Sequence, residues 1–164
     1  MTIRRAGGLA GENITNAIIA AFFEVYNRLG FGFLESVYAE ALTRELRRRG
    51  HRVEREVLVK VWYKGQLIAR QRVDMLVDDV VIVEIKAGLV LPQTGSRQLF
   101  NYLRGTDKEI GLLLHFGPEP KFYREYCPNA RKEHGRVGSE VPVLIRGQTE
   151  QPEAARAPAD AAGM

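Results

Sequence analysis

Residues 73–87, with the sequence VDMLVDDVVIVEIKA, contain the strongest structural signal in this chain. Both halves of the stretch are rich in Val, Ile and Leu, and the branched members of that group favour β-strands. The Asp78-Asp79 pair between the halves is typical of a tight turn. We therefore expect one strand over residues 66–77 and a second over residues 80–87, running antiparallel as neighbours.

Apart from the two turn aspartates, three ionisable side chains interrupt this apolar stretch, namely Asp74, Glu84 and Lys86. Alternate side chains of a strand share a face, so Glu84 and Lys86 point the same way, and the turn brings Asp74 alongside residues 83–84. Neither carboxylate belongs in such apolar strands unless something compensates its charge, and a divalent cation that prefers oxygen ligands would do so. A cross-strand ion pair on an exposed sheet face is the alternative. The apolar neighbours indicate burial on both faces instead.

The three groups together suit the hydrolysis of a phosphodiester. Asp74 and Glu84 would hold Mg²⁺, which polarises a phosphate oxygen and lowers the pKa of a bound water. Lys86 would position that water or neutralise charge that develops on the phosphate. The chain contains a second E-x-K tripeptide at residues 119–121. We set that copy aside, because it lies in a predicted loop with no strand and no upstream Asp.

The N-terminal half is predicted from its hydrophobic periodicity. Helical spacing indicates one helix over about residues 12–29 and a second from residue 34 to residue 50, each ended by a glycine. From residue 53 the period changes to two, and Lys64-Gly65 makes a plausible turn into the strand that begins at residue 66. An antiparallel meander of three strands is the simplest arrangement.

On the C-terminal side, helical spacing over residues 96–103 is followed by an apolar run at residues 110–116, which suits a buried strand. This strand could lie parallel to residues 80–87, because a helix separates the two. Residues 1–11 are expected to form a flexible N-terminus. Residues 127–164 are expected to be a mostly disordered tail in which residues 141–145 could add an edge strand, although Pro142 argues against a central one.

Composition favours one domain, which we assign to residues 12–126. The 164 residues are 45% hydrophobic and 27% charged, as expected of a soluble domain with a real core. Cys127 is the single cysteine and is interpreted as a buried or incidental thiol. The apolar run at residues 17–23 is too short for a membrane span and lacks a cleavage site, so a cytoplasmic protein without membrane contact is expected.

The charge distribution indicates a polyanionic partner. The chain carries a net charge of +4, but residues 137–164 hold two arginines against four acids, so residues 1–136 carry the excess. The densest basic cluster comprises Arg44, Arg47, Arg48, Arg49, Arg52 and Arg55. This cluster either contacts nucleic acid or is only the solvated end of a helix.

Residues 32–38, with the sequence GFLESVY, resemble the signature of the bacterial GxxExxY family, a branch of the PD-(D/E)XK nuclease superfamily. The resemblance covers roughly residues 12–126. It includes further matching segments in the same order and spacing: residues 41–50, 61–65, 72–74, 83–87, 98–103 and 111–117. Because order and spacing agree as well as the letters, the motifs are specific when taken together.

This resemblance implies an α/β fold with a three-layer PD-(D/E)XK nuclease-like core, in which helices flank a mixed central sheet. It also implies a Mg²⁺-dependent nuclease, with Mn²⁺ as a substitute. Asp74, Glu84 and Lys86 would form the core triad, and the Ile85 carbonyl would be a further metal ligand. Glu35, on the second helix, would reach the metal or its water, although an acid at a helix start also meets the helix dipole without any catalysis.

The resemblance also implies nucleic-acid contacts. Gln98 and Tyr102 resemble the Q-x-x-x-Y element of related repair nucleases and lie on one helix face, where the alternative is that they only flank a packed face. Tyr38 is assigned to the same contacts, with a half-buried packing role as the alternative. Arg124 matches a basic residue near the family's C-terminus. His115 replaces the family's usual Asn and is interpreted as structural.

The sequence therefore predicts a metal-dependent nuclease that hydrolyses phosphodiester bonds in nucleic acid, with DNA as the favoured substrate. The alternative is a catalytically silent nucleic-acid-binding or protein-interaction module on the same fold. An intact Asp, Glu and Lys triad favours the enzyme. The oligomeric state is left open, and a homodimer is one option.

Overall fold

Three helices and five strands make up the part of the chain that the structure, a computed structural model, describes, which is residues 6–129. In chain order the elements are α1 (Ala6–Leu29), α2 (Glu35–Arg48), β1 (Val53–Tyr63), β2 (Gln66–Val77), β3 (Val81–Ala87), α3 (Thr94–Arg104), β4 (Ile110–Phe116) and β5 (Pro120–Tyr126). This confirms the predicted α/β class and the predicted order of the elements as far as β4.

The five strands form one mixed sheet in the order β1-β2-β3-β4-β5. Strands β1, β2 and β3 form the predicted antiparallel meander, and Val77 lies opposite Val81 across the Asp78-Asp79 turn. Both turn aspartates have positive φ, at 52° and 60°, a conformation that Asp tolerates better than most residues. Strand β4 runs parallel to β3, as the intervening helix predicted.

The helices cover the two faces of this sheet and create three layers. Helices α1 and α2 pack Phe22, Leu42 and Leu46 against one face of β3 and β4, while α3 packs Leu99 and Leu103 against the other. Residues 81–83 and Ile85 of β3 are at most 1% exposed, which confirms burial on both faces of this strand. The predicted three-layer core with a mixed sheet is therefore present.

The start of the first helix differs from the prediction. Helix α1 begins at Ala6, six residues before its expected start, although Gly7, Gly8 and Gly11 are poor helix formers. Gly11 is buried, and a Cβ there would collide with the side chain of Ile110, so the start of the helix lies directly on the sheet. Close packing thus extends α1 where local propensity would end it.

Strand β5 was missed and corrects the loop predicted at residues 119–121. It pairs antiparallel with β4 along its whole length, from Ile110 opposite Tyr126 to Phe116 opposite Pro120. Its residues are exposed or half-buried, so no alternation of apolar residues marks it. Pro120 lies at the first position of an edge strand, where its missing N–H costs no ladder bond.

The described chain ends in a short packed segment. Cys127 is buried, and its N–H donates to the carbonyl of Glu109 at 2.8 Å. Its burial agrees with the incidental thiol predicted. The possible edge strand at residues 141–145 lies outside the described residues. No helix within residues 6–129 is long and apolar enough to span a membrane.

Candidate active site

The candidate site lies where β2 separates from β3. The ladder between these strands ends at Met75 opposite Val83. Val73 packs on the α3 side of the sheet and Met75 on the other side, so β2 changes face across Asp74. Asp74 Oδ2 accepts a hydrogen bond of 2.7 Å from the Ile85 N–H, which the backbone of β2 would otherwise have bonded. The side chain of Asp74 therefore closes the gap that the departing strand leaves.

Glu84 is the most unusual group in this gap. It is 3% exposed, and its Oε1 accepts a hydrogen bond of 2.8 Å from Lys86 Nζ. Its Oε2 is buried without a hydrogen-bond partner among the described residues. Burial, reinforced by the negative charge of Asp74, raises the pKa of Glu84 to about 7. A buried carboxylate oxygen without a partner is costly to maintain, so it points to a group that the protein alone does not supply.

The pKa values of the neighbours of Glu84 are shifted in ways that agree with this arrangement. Burial raises the pKa of Asp74 above its usual value, although the Ile85 N–H and the charge of Lys86 oppose the rise. Burial alone would lower the pKa of Lys86, but its hydrogen bond to Glu84 and the surrounding negative charges raise it. Lys86 is therefore a stable cation, while the proton affinity of the two carboxylates is high.

Glu35 reaches the same region from another layer. It is the first residue of α2, and its Oε1 accepts a hydrogen bond of 3.3 Å from the Ala87 N–H at the end of β3. Its negative charge raises the pKa values of both Asp74 and Glu84. The structure thus brings Glu35, Asp74, Glu84 and Lys86 together, as the sequence predicted.

Helix α3 forms another wall of the site. Gln98 Nε2 donates a hydrogen bond to the Tyr102 hydroxyl, so the two residues lie on one helix face as predicted. Burial raises the pKa of Tyr102, and the charges of Glu84 and Asp74 raise it further. Tyr102 is therefore close to the carboxylates, and Gln98 is held beside it.

Three of the predicted nucleic-acid contacts do not reach the surface of the site, and one of them is Tyr102, which is only 3% exposed. Tyr38 is fully buried, and its ring stacks on Phe116 at 4.1 Å between centroids. The prediction that Tyr38 contacts nucleic acid directly is therefore wrong. The half-buried packing role is the better interpretation. Arg124 lies on β5, with β4 between it and β3, and donates to Asn16 Oδ1 of α1 at 2.8 Å. The structure does not place it with the other predicted residues.

Arg55 is a neighbour of the site that sequence reasoning did not single out. It lies opposite Met75, and its positive charge lowers the pKa of Asp74. It donates to Thr43 Oγ1 at 3.2 Å, while its Nε is buried without a partner in the described chain. Only its place in the arginine cluster was visible in the sequence, because its approach to Asp74 depends on strand pairing.

His115 has a structural position that fits its predicted role. It is paired with Lys86 in the β3–β4 ladder and is 4% exposed. Its Nε2 lies 3.0 Å from the carbonyl oxygen of Gly88, which begins the segment leading to α3. His115 therefore ties the end of β4 to the segment that follows the site strand.

The arginine cluster defined above is only partly neutralised by its own neighbours. The ion pairs are Arg44 with Glu40 at 2.7 Å, Arg48 and Arg49 with Glu45 at 2.9 and 2.7 Å, and Arg52 with Glu54 at 2.7 Å. Arg55 also lies 3.7 Å from Glu40, so three carboxylates are shared among five of the six arginines and part of the positive charge remains. Contact with nucleic acid and a solvated helix end both stay open as interpretations of this cluster.

The donor set fits a hard divalent cation. No three Asp, Glu, His or Cys side chains in residues 6–129 converge into a complete protein metal site. Mg²⁺ does not require one, since it usually takes one or two carboxylates and completes its shell with waters and substrate phosphates. Asp74 and the unpartnered Oε2 of Glu84 supply such carboxylates. In a strand, the N–H and C=O of one residue share an edge, so the Ile85 carbonyl faces the same gap.

A half-buried Asp on one strand and a Glu-x-Lys on the next, within a three-layer α/β core, define a nuclease-like domain. Residues 12–125 match the PD-(D/E)XK nuclease superfamily, and the chain belongs to that superfamily. The narrower assignment to the GxxExxY branch stays a prediction from residues 32–38.

Comparison with individual proteins adds little. No curated protein matches the chain. The crystal structure of SSO0001 has 20% sequence identity and a TM-score of 0.43, over 60% of this chain and 54% of that chain. The match thus spans about half the length of SSO0001. A TM-score of this size supports no inference about fold or function.

Proposed function

We propose that this protein is a divalent-metal-dependent nuclease that hydrolyses phosphodiester bonds, with DNA as the favoured substrate and Mg²⁺ or Mn²⁺ as the cofactor. The observation that carries the proposal is the buried Glu84, whose Oε2 has no partner among the described residues and whose neighbour is a half-buried carboxylate, Asp74. Structural ion pairs do not need an oxygen left free in this way. A cation would satisfy that oxygen and relieve the repulsion between the two acids.

The bound cation would polarise the phosphate and lower the pKa of a water, which is the chemistry that the protein groups lack. Asp74, Glu84 and the Ile85 carbonyl would hold it. Lys86 Nζ, fixed by its bond to Glu84 Oε1, would lie where it offsets negative charge on the phosphate oxygens during attack. In the reaction, a water oxygen bonds to phosphorus and gives up a proton to solvent as the ester P–O bond breaks, and the leaving oxygen takes up a proton from solvent.

Glu35 has a distinct role in this proposal. Its hydrogen bond to the Ala87 N–H is the outermost contact of the cluster, and its side chain is exposed. It is therefore the carboxylate best able to accept a bond from a water at the mouth of the site. Gln98 would orient the nucleic-acid strand from α3, and the buried Tyr102 would hold Gln98 in place through their hydrogen bond.

The β1–β2 hairpin supports a polyanionic substrate. Lys60 lies directly opposite Arg70, and Arg72 is two residues further along the same face of β2. Like charges in directly opposite positions destabilise a sheet. None of the three forms a salt bridge with any residue in the described range. We call Lys60, Arg70 and Arg72 the basic arm, and phosphates would offset its charge.

The position of the basic arm relative to the site strengthens this interpretation. Strand β3 pairs only with residues 75–77 of β2, whereas β1 pairs with β2 almost throughout. The hairpin therefore extends beyond β3 from the point where Asp74 closes the gap. A strand of nucleic acid held by the basic arm would pass close to Asp74.

The test is incubation of the pure protein with labelled DNA and RNA, each single- and double-stranded, in Mg²⁺, Mn²⁺, Ca²⁺ or EDTA. We expect cleavage in Mg²⁺ or Mn²⁺, none in EDTA, and none by Glu84→Gln. Glu119→Gln is the matched control, because Glu119 belongs to the second E-x-K tripeptide and its side chain is 81% exposed. Binding without cleavage under every metal condition would refute the nuclease and favour the catalytically silent module.

A further inference from the structure

An open apolar cavity of about 570 Å³ borders the candidate site. It is lined by residues 31–36, which join α1 to α2 and begin α2, and by residues 87–89, which end β3 and directly follow it. Large apolar side chains in and beside these two segments are exposed: Phe31 42%, Phe33 49%, Leu34 75%, Leu89 74% and Val90 79%. So much apolar surface in one place is a sign of a binding site.

The wall of this apolar cavity is held in place by the interior of the protein. The Tyr38 hydroxyl donates to the Gly30 carbonyl at 2.6 Å and accepts from the Phe33 N–H at 3.2 Å. Gly30 and Gly32 have φ of 71° and 119°, which strongly favours glycine at both positions. The buried Tyr38 therefore keeps the 31–36 segment in a shape that exposes its aromatic rings.

The apolar cavity meets the candidate site at Glu35. Glu35 and Ala87 line it, and they are joined by the hydrogen bond from the Ala87 N–H to Glu35 Oε1. Side chains of successive strand residues point to opposite faces, so Glu84 and Lys86 lie across β3 from Ala87. A ligand group in the apolar cavity would therefore meet the site through Glu35.

The lining determines which part of a substrate can enter. Glu35 is its single charged residue, and no Lys, Arg or His lines it, so a phosphate would meet repulsion without compensation. Phe31 and Phe33 offer aromatic rings, on which a flat and uncharged nucleobase can stack. The volume is in the range of small-molecule sites and accommodates one base with its sugar.

We infer that the apolar cavity binds an unpaired nucleobase next to the scissile phosphate, so that the substrate is nucleic acid with at least one unstacked nucleotide at the cut. This inference rests on the proposed function. A base within a duplex is stacked on both faces and cannot enter, whereas a base in a single strand, a flap or a frayed end enters at little cost. The basic arm holds phosphates, and the apolar cavity holds the base.

The experiment is a thermodynamic cycle between Phe31 and the base. Equilibrium binding in Ca²⁺ and single-turnover cleavage in Mg²⁺ are measured on short single-stranded DNA, intact or with one abasic position moved stepwise along it. We expect Phe31→Ala to weaken binding of intact DNA on the order of tenfold, as loss of one base stack does. On DNA that is abasic at the critical position, the same variant should have no effect. Phe31→Trp should restore binding of intact DNA.

Phe31 is preferred over Phe33 for this cycle because the ring of Phe33 packs edge-on against Tyr38. Tyr126→Ala is the matched control, since Tyr126 is 62% exposed on β5, away from the apolar cavity. Equal losses on intact and abasic DNA at every position would overturn the inference, as would equal cleavage of single strands and full duplexes. Concentration-dependent dimerisation that Phe31→Ala abolishes would assign the cavity to a second copy and overturn it too.

The outcomes separate this inference from the proposed function. Cleavage that depends on Mg²⁺ but shows no coupling between Phe31 and any base refutes the apolar cavity as a base site and leaves the nuclease intact. Coupling in the binding assay without cleavage by the wild type refutes the nuclease and leaves the base site intact. Absence of any binding to DNA or RNA refutes both.

Discussion

The substitution Glu84→Gln is expected to stabilise the metal-free protein near and above neutral pH. Glu84 is 3% exposed, and burial together with the charge of Asp74 raises its pKa from 4.5 to about 7. A glutamine has nearly the same shape as a protonated glutamate but never ionises. The variant therefore avoids a buried negative charge that the wild type must create as the pH rises.

The size of the effect follows from linkage. A carboxyl with a raised pKa binds its proton more tightly in the folded state, so its contribution to stability is fully present below about pH 4.5 and is lost as the pH rises to about 7. At about 1.4 kcal/mol per pH unit, this loss amounts to ~3 kcal/mol. The hydrogen bond and the charge of Lys86 lower the pKa of Glu84, and the rise to about 7 is what remains after that compensation.

The assay is urea unfolding of wild type and Glu84→Gln in EDTA at several pH values from about 4.5 to about 8. The difference between their free energies of unfolding should grow with pH in favour of the variant, while the carboxylates remote from Glu84 contribute equally to both proteins and cancel. Glu119→Gln should track the wild type at each pH. A constant difference across the range, or a wild type that gains on the variant with pH, would show that Glu84 ionises normally and would remove the physical basis of the candidate site.

Four further predictions can be tested with the same protein. Millimolar Mg²⁺ or Mn²⁺ should raise the melting temperature of the wild type by mass action but raise that of Asp74→Asn much less; no rise in the wild type would argue against a metal site. Lys86→Ala and Lys86→Met should slow single-turnover cleavage on the order of a hundredfold, with little loss of nucleic-acid binding, whereas Lys121→Ala should cleave normally; unimpaired Lys86 variants would exclude it from the mechanism. Replacing Lys60 and Arg70 by Ala should lower the slope of log binding constant against log salt by about 2, and an unchanged slope would contradict the basic arm. Deleting residues 147–164 should leave the melting temperature unchanged, because their composition supplies few large apolar groups; a clear decrease would show that they pack on the domain.

The strands and helices that could be predicted are those in which the spacing of apolar residues indicates the buried face. Strand β3 is apolar at nearly every position because α-helices cover both of its faces, and α2 repeats its buried Leu42 and Leu46 at helical spacing. Strand β5 carries no such pattern, since its side chains are largely exposed. It is a strand because β4 would otherwise present an unpaired edge, and pairing energy acts between backbones.

The side chains of the candidate site also fall into two groups: those whose proximity could be predicted from the sequence and those that only the fold brings together. The shared face of Glu84 and Lys86 follows from the pleat of a single strand, and the proximity of Asp74 follows from a short turn. The contribution of Arg55 to the pKa of Asp74 and the burial of Tyr38 depend on elements that approach from elsewhere in the chain. Tyr38 was assigned to nucleic acid because its motif is recognisable, although its position in the structure is under the 31–36 segment.

The sequence by itself determined the order of elements up to β4, the three-layer class, and the identity of the acidic and basic groups that meet at the end of β3. These properties depend on neighbours within one strand, one helix or one turn, where geometry is regular. Only the tertiary structure decided that β2 parts from β3 at Asp74, that Glu84 Oε2 is buried without a partner in the described residues, and that an apolar cavity opens beside Glu35. Desolvation and cavities arise where groups distant in sequence exclude water together. A local pattern of residues therefore cannot predict them.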